Sequence, residues 1–237
     1  MNLENILLAG FKTYYCAACK RKTPEYNAKI TSDRLCICSE CMENADKYKS
    51  SAVFKGNNYL SNVIAAYPYS GILKSMFGRY KFRGEWGLAE VFSKLLIQKA
   101  KPFIKKDDFD LLVPVPLSGK RMLERGYNQS ALMGKPFAEY FGIEYSAKAL
   151  FRIKNTKRQS ELASNQRNKN VYGAFLAEKK AVEGKKILLL DDIYTVGATM
   201  GECARTLLLS SAKQVSGICL FKTPAAVDLK EPYTFKN

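Results

Sequence analysis

Histidine is absent from this chain of 237 residues. Its absence excludes catalytic triads that use histidine as the base, metal sites with histidine ligands and a histidine pH switch. No apolar run reaches the roughly eighteen residues that a membrane-spanning helix needs. Acidic residues are scarce, with 22 Asp and Glu against 38 Lys and Arg, for a net charge of +16. This surplus favours polyanionic partners, nucleic acid or a polyphosphate substrate, although a solvated lysine-rich surface would also produce it.

The length fits one ordinary domain plus a small appendage, and 47% hydrophobic residues are enough for a real core. The first ten residues hold a short apolar patch without a basic start, and they include Glu4. This pattern indicates neither a signal peptide nor a transit peptide. We therefore expect a cytoplasmic protein with no membrane insertion.

The most informative stretch runs from Ile187 to Met200 and reads ILLLDDIYTVGATM. Its four aliphatic residues predict a buried parallel strand, and the turn and helix that follow place Asp191 and Asp192 at the carboxyl end of that strand. In an open α/β sheet, ligands bind outside the carboxyl ends of the strands. The stretch therefore predicts a ligand site.

The residue types in this stretch indicate which ligand. The free N–H groups of a helix N-terminus suit a phosphate, Gly197 allows close backbone approach, and Thr195 and Thr199 add hydroxyl donors. The paired carboxylates can accept hydrogen bonds from the vicinal diol of a ribose. We predict a ribose 5-phosphate that carries further groups. The stretch is not a Walker A loop, because no Gly-Lys-Ser/Thr follows the glycine.

Five of the seven cysteines lie between residues 16 and 41. Cys16, Cys19, Cys38 and Cys41 have the spacing Cys-x2-Cys-x18-Cys-x2-Cys, which is typical of zinc ribbons, and four thiolates would make the zinc structural. Cys36 leaves an alternative open, since it could replace Cys38 as a ligand. Reduced cysteines without metal are the other alternative. Cys203 and Cys219 are predicted to be buried core thiols.

Hydrophobic periodicity predicts alternating strands and helices after the cysteines, hence a parallel sheet. Residues 44–58 are predicted to be a polar linker. The predicted strands are 62–69, 109–115, 172–176, the motif strand and 214–221. The predicted helices are 71–80, 85–103, 129–141 and one from the motif to residue 209.

Two basic segments are predicted to be further walls of an anion site. One follows a predicted strand and runs from Pro114 to Arg121 and on to Ser130. The other spans residues 151–170; it is polar, basic and poor in apolar residues, and is predicted to be a loop or hairpin over the site. Arginine forks suit phosphate oxygens, although a charge run is often only a solvated face.

The motif resembles the phosphoribosyl pyrophosphate (PRPP) motif of type I phosphoribosyltransferases. From Cys16 to about Thr223 the chain resembles the ComF family of phosphoribosyltransferase-like competence proteins. The resemblance rests on the cysteine pairs, Tyr80 to Gly84, Val113 to Pro116, Arg125 to Gln129, several residues of the second basic segment and the motif. Cys36 is the main departure from the pattern.

The resemblance implies an α/β type I phosphoribosyltransferase fold, a parallel Rossmann-like sheet flanked by helices, with an N-terminal zinc ribbon. The expected domains are residues 12–48 and 60–225. The expected ligands are structural zinc and PRPP with Mg²⁺. The implied function is the handling of incoming single-stranded DNA during natural transformation, together with a competence helicase or other uptake proteins.

Site residues can be assigned by the same resemblance. Asp191 and Asp192 would hold the ribose and are the candidate catalytic residues, because a carboxylate could stabilise a cationic ribose or accept a proton. The expected PRPP-binding residues are Ser118, Gly119, Lys120, Arg121, Asp191, Asp192, Thr195, Val196, Gly197, Ala198 and Thr199. The expected flexible-loop residues are Arg152, Thr156, Gln159, Arg167 and Asn170. The candidate nucleic-acid contacts are Arg79, Lys81, Arg83, Arg125 and Tyr127, with the rings of Tyr80 and Phe82.

Two other functions compete with DNA handling. A Mg²⁺-dependent salvage phosphoribosyltransferase would join PRPP to a nucleobase and release pyrophosphate, but the sequence shows no base-recognition element beside the reacting carbon. A PRPP-sensing interaction protein is the third possibility. The sequence leaves the acceptor, and whether any catalysis occurs, open.

Overall fold

The computed structural model describes residues 13–32, 35–46, 52–56, 58–155 and 170–223. The N-terminal part is a four-stranded sheet of order β2-β1-β4-β3 followed by a helix. Its elements are β1 (Thr13–Cys16), β2 (Lys22–Pro24), β3 (Ala28–Ser32), β4 (Leu35–Cys38) and α1 (Ser39–Asp46). Because β1 and β4 are parallel neighbours, the two cysteine pairs come to the same end of this sheet.

The remaining strands build the larger domain. They are β5 (Ala52–Phe54), β6 (Val63–Pro68), β7 (Leu111–Pro114), β8 (Glu144–Tyr145), β9 (Leu150–Arg152), β10 (Phe175–Ala177), β11 (Lys186–Tyr194) and β12 (Gln214–Lys222). Strands β9 and β10 form a separate antiparallel pair. The others form one sheet of order β5-β6-β12-β11-β7-β8, parallel except for β5 at its edge.

Helices cover both faces of this sheet. They are α2 (Gly71–Phe82), α3 (Leu88–Ala100), α4 (Gly119–Arg125), α5 (Gln129–Phe141), α6 (Lys179–Val182) and α7 (Ala198–Leu209). Leu188 and Leu190 join the core under α2, α3 and α5, whereas Ile187 and Leu189 join the core under α7. Strand β11 is therefore buried on both faces, which explains its continuous aliphatic run.

The path of the chain locates the ligand crevice. From β7 the chain goes to β8, away from β11, whereas from β11 it goes through α7 to β12, away from β7. Two neighbouring parallel strands with connections that leave in opposite directions form a topological switch point. The crevice therefore opens beyond the carboxyl ends of β7 and β11, where the paired acids lie.

Most of the predicted elements are confirmed, with boundary shifts of a few residues. Three predictions were wrong. The predicted strand 172–176 is β10, which begins only at Phe175 and pairs antiparallel with β9 outside the parallel sheet. The predicted linker 44–58 contains β5, which pairs with β6 because its apolar residues can complete the edge of the large sheet. The predicted anion loop around Ser118 is the start of α4, because Ser118 caps that helix and accepts a hydrogen bond from the Arg121 N–H. The domain limits 12–48 and 60–225 stay predictions.

Candidate ligand site and cysteine cluster

The two acids of the motif have different surroundings. Lys81 Nζ lies 2.8 Å from Asp192 Oδ2, and the two side chains are 15% and 13% exposed. Asp191 Oδ1 accepts hydrogen bonds from the Asp192 backbone N–H at 2.8 Å and from Ser130 Oγ at 3.4 Å. Asp192 is thus neutralised by a lysine of α2, whereas the nearest donors to Asp191 are neutral.

These surroundings shift the titration of Asp191. Burial and then the neighbouring charge of Asp192 raise the pKa of Asp191 to about 7, even though the Asp192 N–H, Lys81 and Ser130 act in the opposite direction. A carboxyl group with a pKa near neutrality can gain or lose a proton under physiological conditions. Asp191 is therefore the acid better suited to exchange a proton with a ligand.

The loop from Thr195 to Gly197 connects the acids to α7. Gly197 has a φ of 74°, which favours glycine, and an added Cβ atom would collide with the Tyr194 ring. Within α7, all of which the structure describes, the first turn has no acidic residue and no side chain caps the N-terminus. The amides at the start of α7 can therefore bind an anion.

A cavity of about 240 Å³, here called the Asp191 cavity, opens between these elements. Its walls come from α2, the segment after β7, α4, α5, β9 and the motif. It is lined by Lys81, Phe82, Val115, Pro116, Leu117, Arg121, Arg125, Ser130, Arg152, Asp191, Asp192, Ile193, Thr195 and Thr199. Lysine and arginine outnumber the two acids in this wall, so the cavity favours an anionic ligand.

Only part of the predicted PRPP-binding set lines this cavity. Thr195 and Thr199 line it, whereas Val196 is exposed, Ala198 is buried, and both can offer only backbone to a ligand. In the first basic segment Arg121 reaches the cavity. The other three residues do not line it: Ser118 is buried as the helix cap, and Gly119 and Lys120 are exposed.

The second basic segment contributes Arg152. Its guanidinium carbon lies 5.3 Å from the centroid of the Phe175 ring, which holds the side chain against the β9–β10 hairpin. Burial and then the charge of Arg121 lower the pKa of Arg152. Asn170 is described but does not line the cavity. The other predicted loop residues, Thr156, Gln159 and Arg167, lie outside the described residues.

The candidate nucleic-acid residues are divided among different roles. Lys81 pairs with Asp192, and Arg79 points inward to the backbone carbonyls of Ala17 and Ala18. Arg83 is exposed, and Arg125 lies at the Asp191 cavity.

Two of the candidate aromatic rings are not open to a stacking partner. Tyr80 is fully buried, and its hydroxyl donates to the Gln129 carbonyl, so this ring cannot stack on a base. Tyr127 is half-buried and donates to the Tyr80 carbonyl.

The four cysteines of the predicted set meet at one point. The sulfur atoms of Cys16, Cys19, Cys38 and Cys41 all lie within 4.8 Å of one another. Cys19 Sγ and Cys38 Sγ are 3.9 Å apart, close to the separation of about 3.8 Å that follows from Zn–S bonds of about 2.3 Å in a tetrahedron. These four residues could hold a metal ion, and their geometry fits zinc.

Cys36 is outside this group. It is fully buried, and burial raises its pKa to about 11. Burial also raises the pKa of Cys38 and of Cys41, so the pKa does not separate Cys36 from the other cysteines. Position separates Cys36 from Cys38, because only the sulfur atom of Cys38 is among the four that converge.

Comparisons with known proteins agree with this geometry. No family model matches the chain. Competence protein ComFC of Streptococcus pneumoniae is 32% identical over 162 residues, which cover 67% of this chain and 67% of that protein. The chain belongs to the ComF family. DNA utilization protein YhgH of Escherichia coli K12 is 26% identical over 218 residues, or 88% of this chain and 90% of that protein.

A solved structure similar to this ComF-family chain is an adenine phosphoribosyltransferase from Leishmania tarentolae. The TM-score is 0.39 at 10% identity, and the match covers 72% of this chain and 94% of that chain. The parallel sheet with helices on both faces confirms the predicted α/β fold class, and the small cysteine-rich sheet lies N-terminal to it as predicted. In the described part of this ComF-family chain, no helix has both the length and the apolar character for a membrane crossing.

Sequence reasoning missed two contacts of the ComF-family site. It placed Lys81 among the nucleic-acid candidates, although Lys81 is the ion partner of Asp192. It placed Ser130 only at the end of a predicted wall of the anion site, although the Ser130 hydroxyl donates to Asp191. No local signal could have found either contact, because 111 and 61 positions of the chain separate the partners.

Proposed function

We propose that the chain binds PRPP in the Asp191 cavity and acts as a phosphoribosyltransferase-like protein in the handling of single-stranded DNA during natural transformation. The observation that carries the proposal is the convergence, at one switch point, of paired acids, an uncapped helix N-terminus and several arginines. Each of these three features suits a different part of PRPP.

The division of work among the residues follows from their chemistry. Asp191 and Asp192 would accept hydrogen bonds from the ribose diol, and the amides from Thr195 to Thr199 would bind the 5-phosphate. Arg121 and Arg152 would bind the pyrophosphate through their guanidinium forks. Mg²⁺ bound through the phosphates would neutralise the leaving charge. The raised pKa of Asp191 would let this residue accept a proton from an incoming nucleophile.

The DNA part of the proposal rests on the relatives and on charge. One relative is named a DNA utilization protein and another a competence protein. A net charge of +16 would attract a polyanion. Phe82 and Arg125 line the Asp191 cavity, and the exposed Arg83 follows Phe82 in the chain. We propose structural zinc in the cysteine cluster, action in the cytoplasm and cooperation with an uptake helicase.

Calorimetric titration tests the ligand. PRPP with Mg²⁺ is titrated into the parent chain and into an Asp191→Asn/Asp192→Asn variant, each with and without a single-stranded oligonucleotide. We expect the double substitution to weaken PRPP binding at least about tenfold, since two charge-assisted hydrogen bonds are lost. Asp107→Asn/Asp108→Asn is the matched control, because these two acids are exposed on a turn remote from the motif in sequence. Equal affinity in the double variant and the parent would contradict the proposal.

Salt dependence and product release test the remaining parts. Affinity for a single-stranded oligonucleotide should fall steeply from 50 to 200 mM salt, because phosphate contacts release counterions. Undetectable or salt-independent binding would count against DNA handling. Release of pyrophosphate when the chain is given PRPP, Mg²⁺ and one particular nucleobase would place the protein among salvage enzymes instead.

A further inference from the structure

A second cavity, of about 400 Å³, lies beside the Asp191 cavity. It is lined by Lys81, Phe82, Gly84, Glu124 and Arg125, and we call it the Phe82 cavity. Lys81, Phe82 and Arg125 line both cavities, so the two adjoin along this shared wall. Its size is within the range of about 300–1,000 Å³ that small-molecule sites usually have.

Phe82 is an aromatic residue that the fold leaves uncovered. It is the last residue of α2, and its side chain is 67% exposed, whereas Phe77 and Tyr80 of the same helix are fully buried. The next turn passes through Gly84 at a φ of 67°, where an added Cβ would meet no atom within 4 Å. The ring is largely exposed and lines the Phe82 cavity together with this glycine.

Arg125 makes this wall planar and positively charged. Its guanidinium carbon lies 5.6 Å from the centroid of the Phe82 ring. Its Nη1 donates to Gln129 Oε1 at 2.9 Å, and Gln129 is fully buried at the start of α5. The guanidinium is therefore held in place by the core, and together with the ring it forms a firm stacking surface.

The polar groups around this surface suit the edge of a heterocycle. Glu124 can accept a hydrogen bond from an amino group or a ring N–H, and Lys81 and Arg125 can donate to carbonyl oxygens or ring nitrogens. An aromatic and guanidinium surface with both donors and acceptors at its rim is the combination that binds nucleobases.

We propose that the Phe82 cavity is a nucleobase subsite, which binds the base of a nucleotide whose ribose 5-phosphate occupies the Asp191 cavity. The inference rests on the proposed function, since it uses the same ribose site. It also supplies the base-recognition element that the sequence alone does not show. The base belongs to a free ribonucleotide, because a DNA strand has no 2′-hydroxyl and its 3′-oxygen is esterified, so it offers no diol to the paired acids.

The test compares ligands that differ only in the base. Ribose 5-phosphate and the nucleotides 5′-AMP, GMP, CMP and UMP are titrated into the full chain. We expect at least one nucleotide to bind about tenfold more tightly than ribose 5-phosphate, in line with a stacked base. Phe82→Ala should reduce this ratio to about one, because it weakens nucleotide binding more than ribose 5-phosphate binding, and Phe82→Tyr should retain the ratio. Leu123→Ala is the control, because Leu123 is 88% exposed on α4 and lines neither cavity.

A second arm tests the part played by the diol. The same variants are titrated with 5′-phosphorylated hexathymidylate, whose terminal sugar has no free diol. A gain that depends on Phe82 with the mononucleotides but not with the oligonucleotide supports the subsite. An equal gain with the oligonucleotide overturns the assignment, because the sugar would then not need the paired acids. No such gain with the mononucleotides, while ribose 5-phosphate still binds, overturns the subsite alone. Failure of ribose 5-phosphate and of all the nucleotides to bind overturns the proposed function as well.

Discussion

Asp191 is the residue whose titration should be visible in the stability of the whole chain. In an unfolded chain its carboxyl has a pKa near 3.8, whereas in the folded chain burial and Asp192 raise the pKa to about 7. Between about pH 4 and pH 7 the folded chain therefore holds a proton that the unfolded chain has released. Stability contributed by this group is present below about pH 4 and is lost as the pH rises to about 7.

Asp191→Asn removes this titration and keeps the shape of the side chain. We expect the free energy of unfolding of the variant to rise relative to the parent as the pH increases from 4.5 to 7.5, by at most about 4 kcal/mol. Urea unfolding at several pH values measures the difference. Asp192→Asn should instead destabilise the chain at every pH, because it leaves the shielded Lys81 without its ion partner. Parallel pH profiles for the parent and Asp191→Asn would contradict the assignment.

At the scale of elements, the turn between β11 and α7 combines two requirements at one glycine. Gly197 needs a positive φ, and its Cα must face the Tyr194 ring without a Cβ between them. Gly184 offers a matched comparison, because it also has a positive φ, of 72°, but an added Cβ there would meet nothing within 4 Å.

Replacing each glycine by alanine separates backbone strain from the collision. Gly184→Ala should cost about 1–2 kcal/mol of stability through the unfavourable φ alone, with ligand binding unchanged. Gly197→Ala should cost more and should also weaken ribose 5-phosphate binding, because the collision with Tyr194 must displace the loop. Chemical unfolding and calorimetric titration measure the two effects. If both variants lost the same stability and neither changed ligand binding, the prediction would be contradicted.

The cysteine-rich sheet allows a second element-scale prediction. Cys38→Ala should lower the zinc content of the purified chain and make the sheet unfold at lower temperature, because three thiolates no longer close a tetrahedral site. Cys36→Ala should leave one zinc ion per chain, since Cys36 is buried outside the cluster. Elemental analysis and thermal unfolding with a chelator distinguish the two variants. Equal zinc loss in both variants would show that the ligand set is different.

At the scale of the whole molecule, Arg79 connects the cysteine-rich sheet to the large domain. From α2 it donates to the carbonyls of Ala17 and Ala18 and lies 3.3 Å from Glu85, which also pairs with Lys20 at 3.1 Å. The two parts also share one continuous hydrophobic core. We therefore expect them to unfold together rather than as independent units.

Two arginines with the same expected role from sequence should behave differently when replaced by methionine. Arg79→Met should cost about 2–3 kcal/mol, because buried carbonyls lose a charged donor. Arg83→Met should change stability by less than about 0.5 kcal/mol, since Arg83 is exposed, but should weaken binding to single-stranded DNA. Thermal unfolding and oligonucleotide titration measure both. A reversed pattern, with Arg83 structural, would contradict the placement of Arg79.

Features that depend on local backbone geometry were predictable from the sequence. The aliphatic run before Asp191, the glycine of the turn and the paired x2 spacings of the cysteines are each confined to a few adjacent residues, and the structure has them in the predicted elements. The linker prediction failed because β5 is only three residues long and is stabilised by pairing with β6 rather than by its own propensity.

The sequence by itself thus determined the class of fold, the clustering of cysteines near the start and the strand that carries the acids, because period and spacing specify them within one segment. The tertiary structure decided between Cys36 and Cys38, since only one of the two sulfur atoms reaches the other three. Only the tertiary structure decided what Lys81, Arg79 and Phe82 do, although the three lie within one turn of the same helix. Lys81 pairs with Asp192, Arg79 points into the molecule, and Phe82 remains exposed. The physical reason is that a side chain's partner depends on how its helix packs against segments that lie 61 to 111 positions away in the chain.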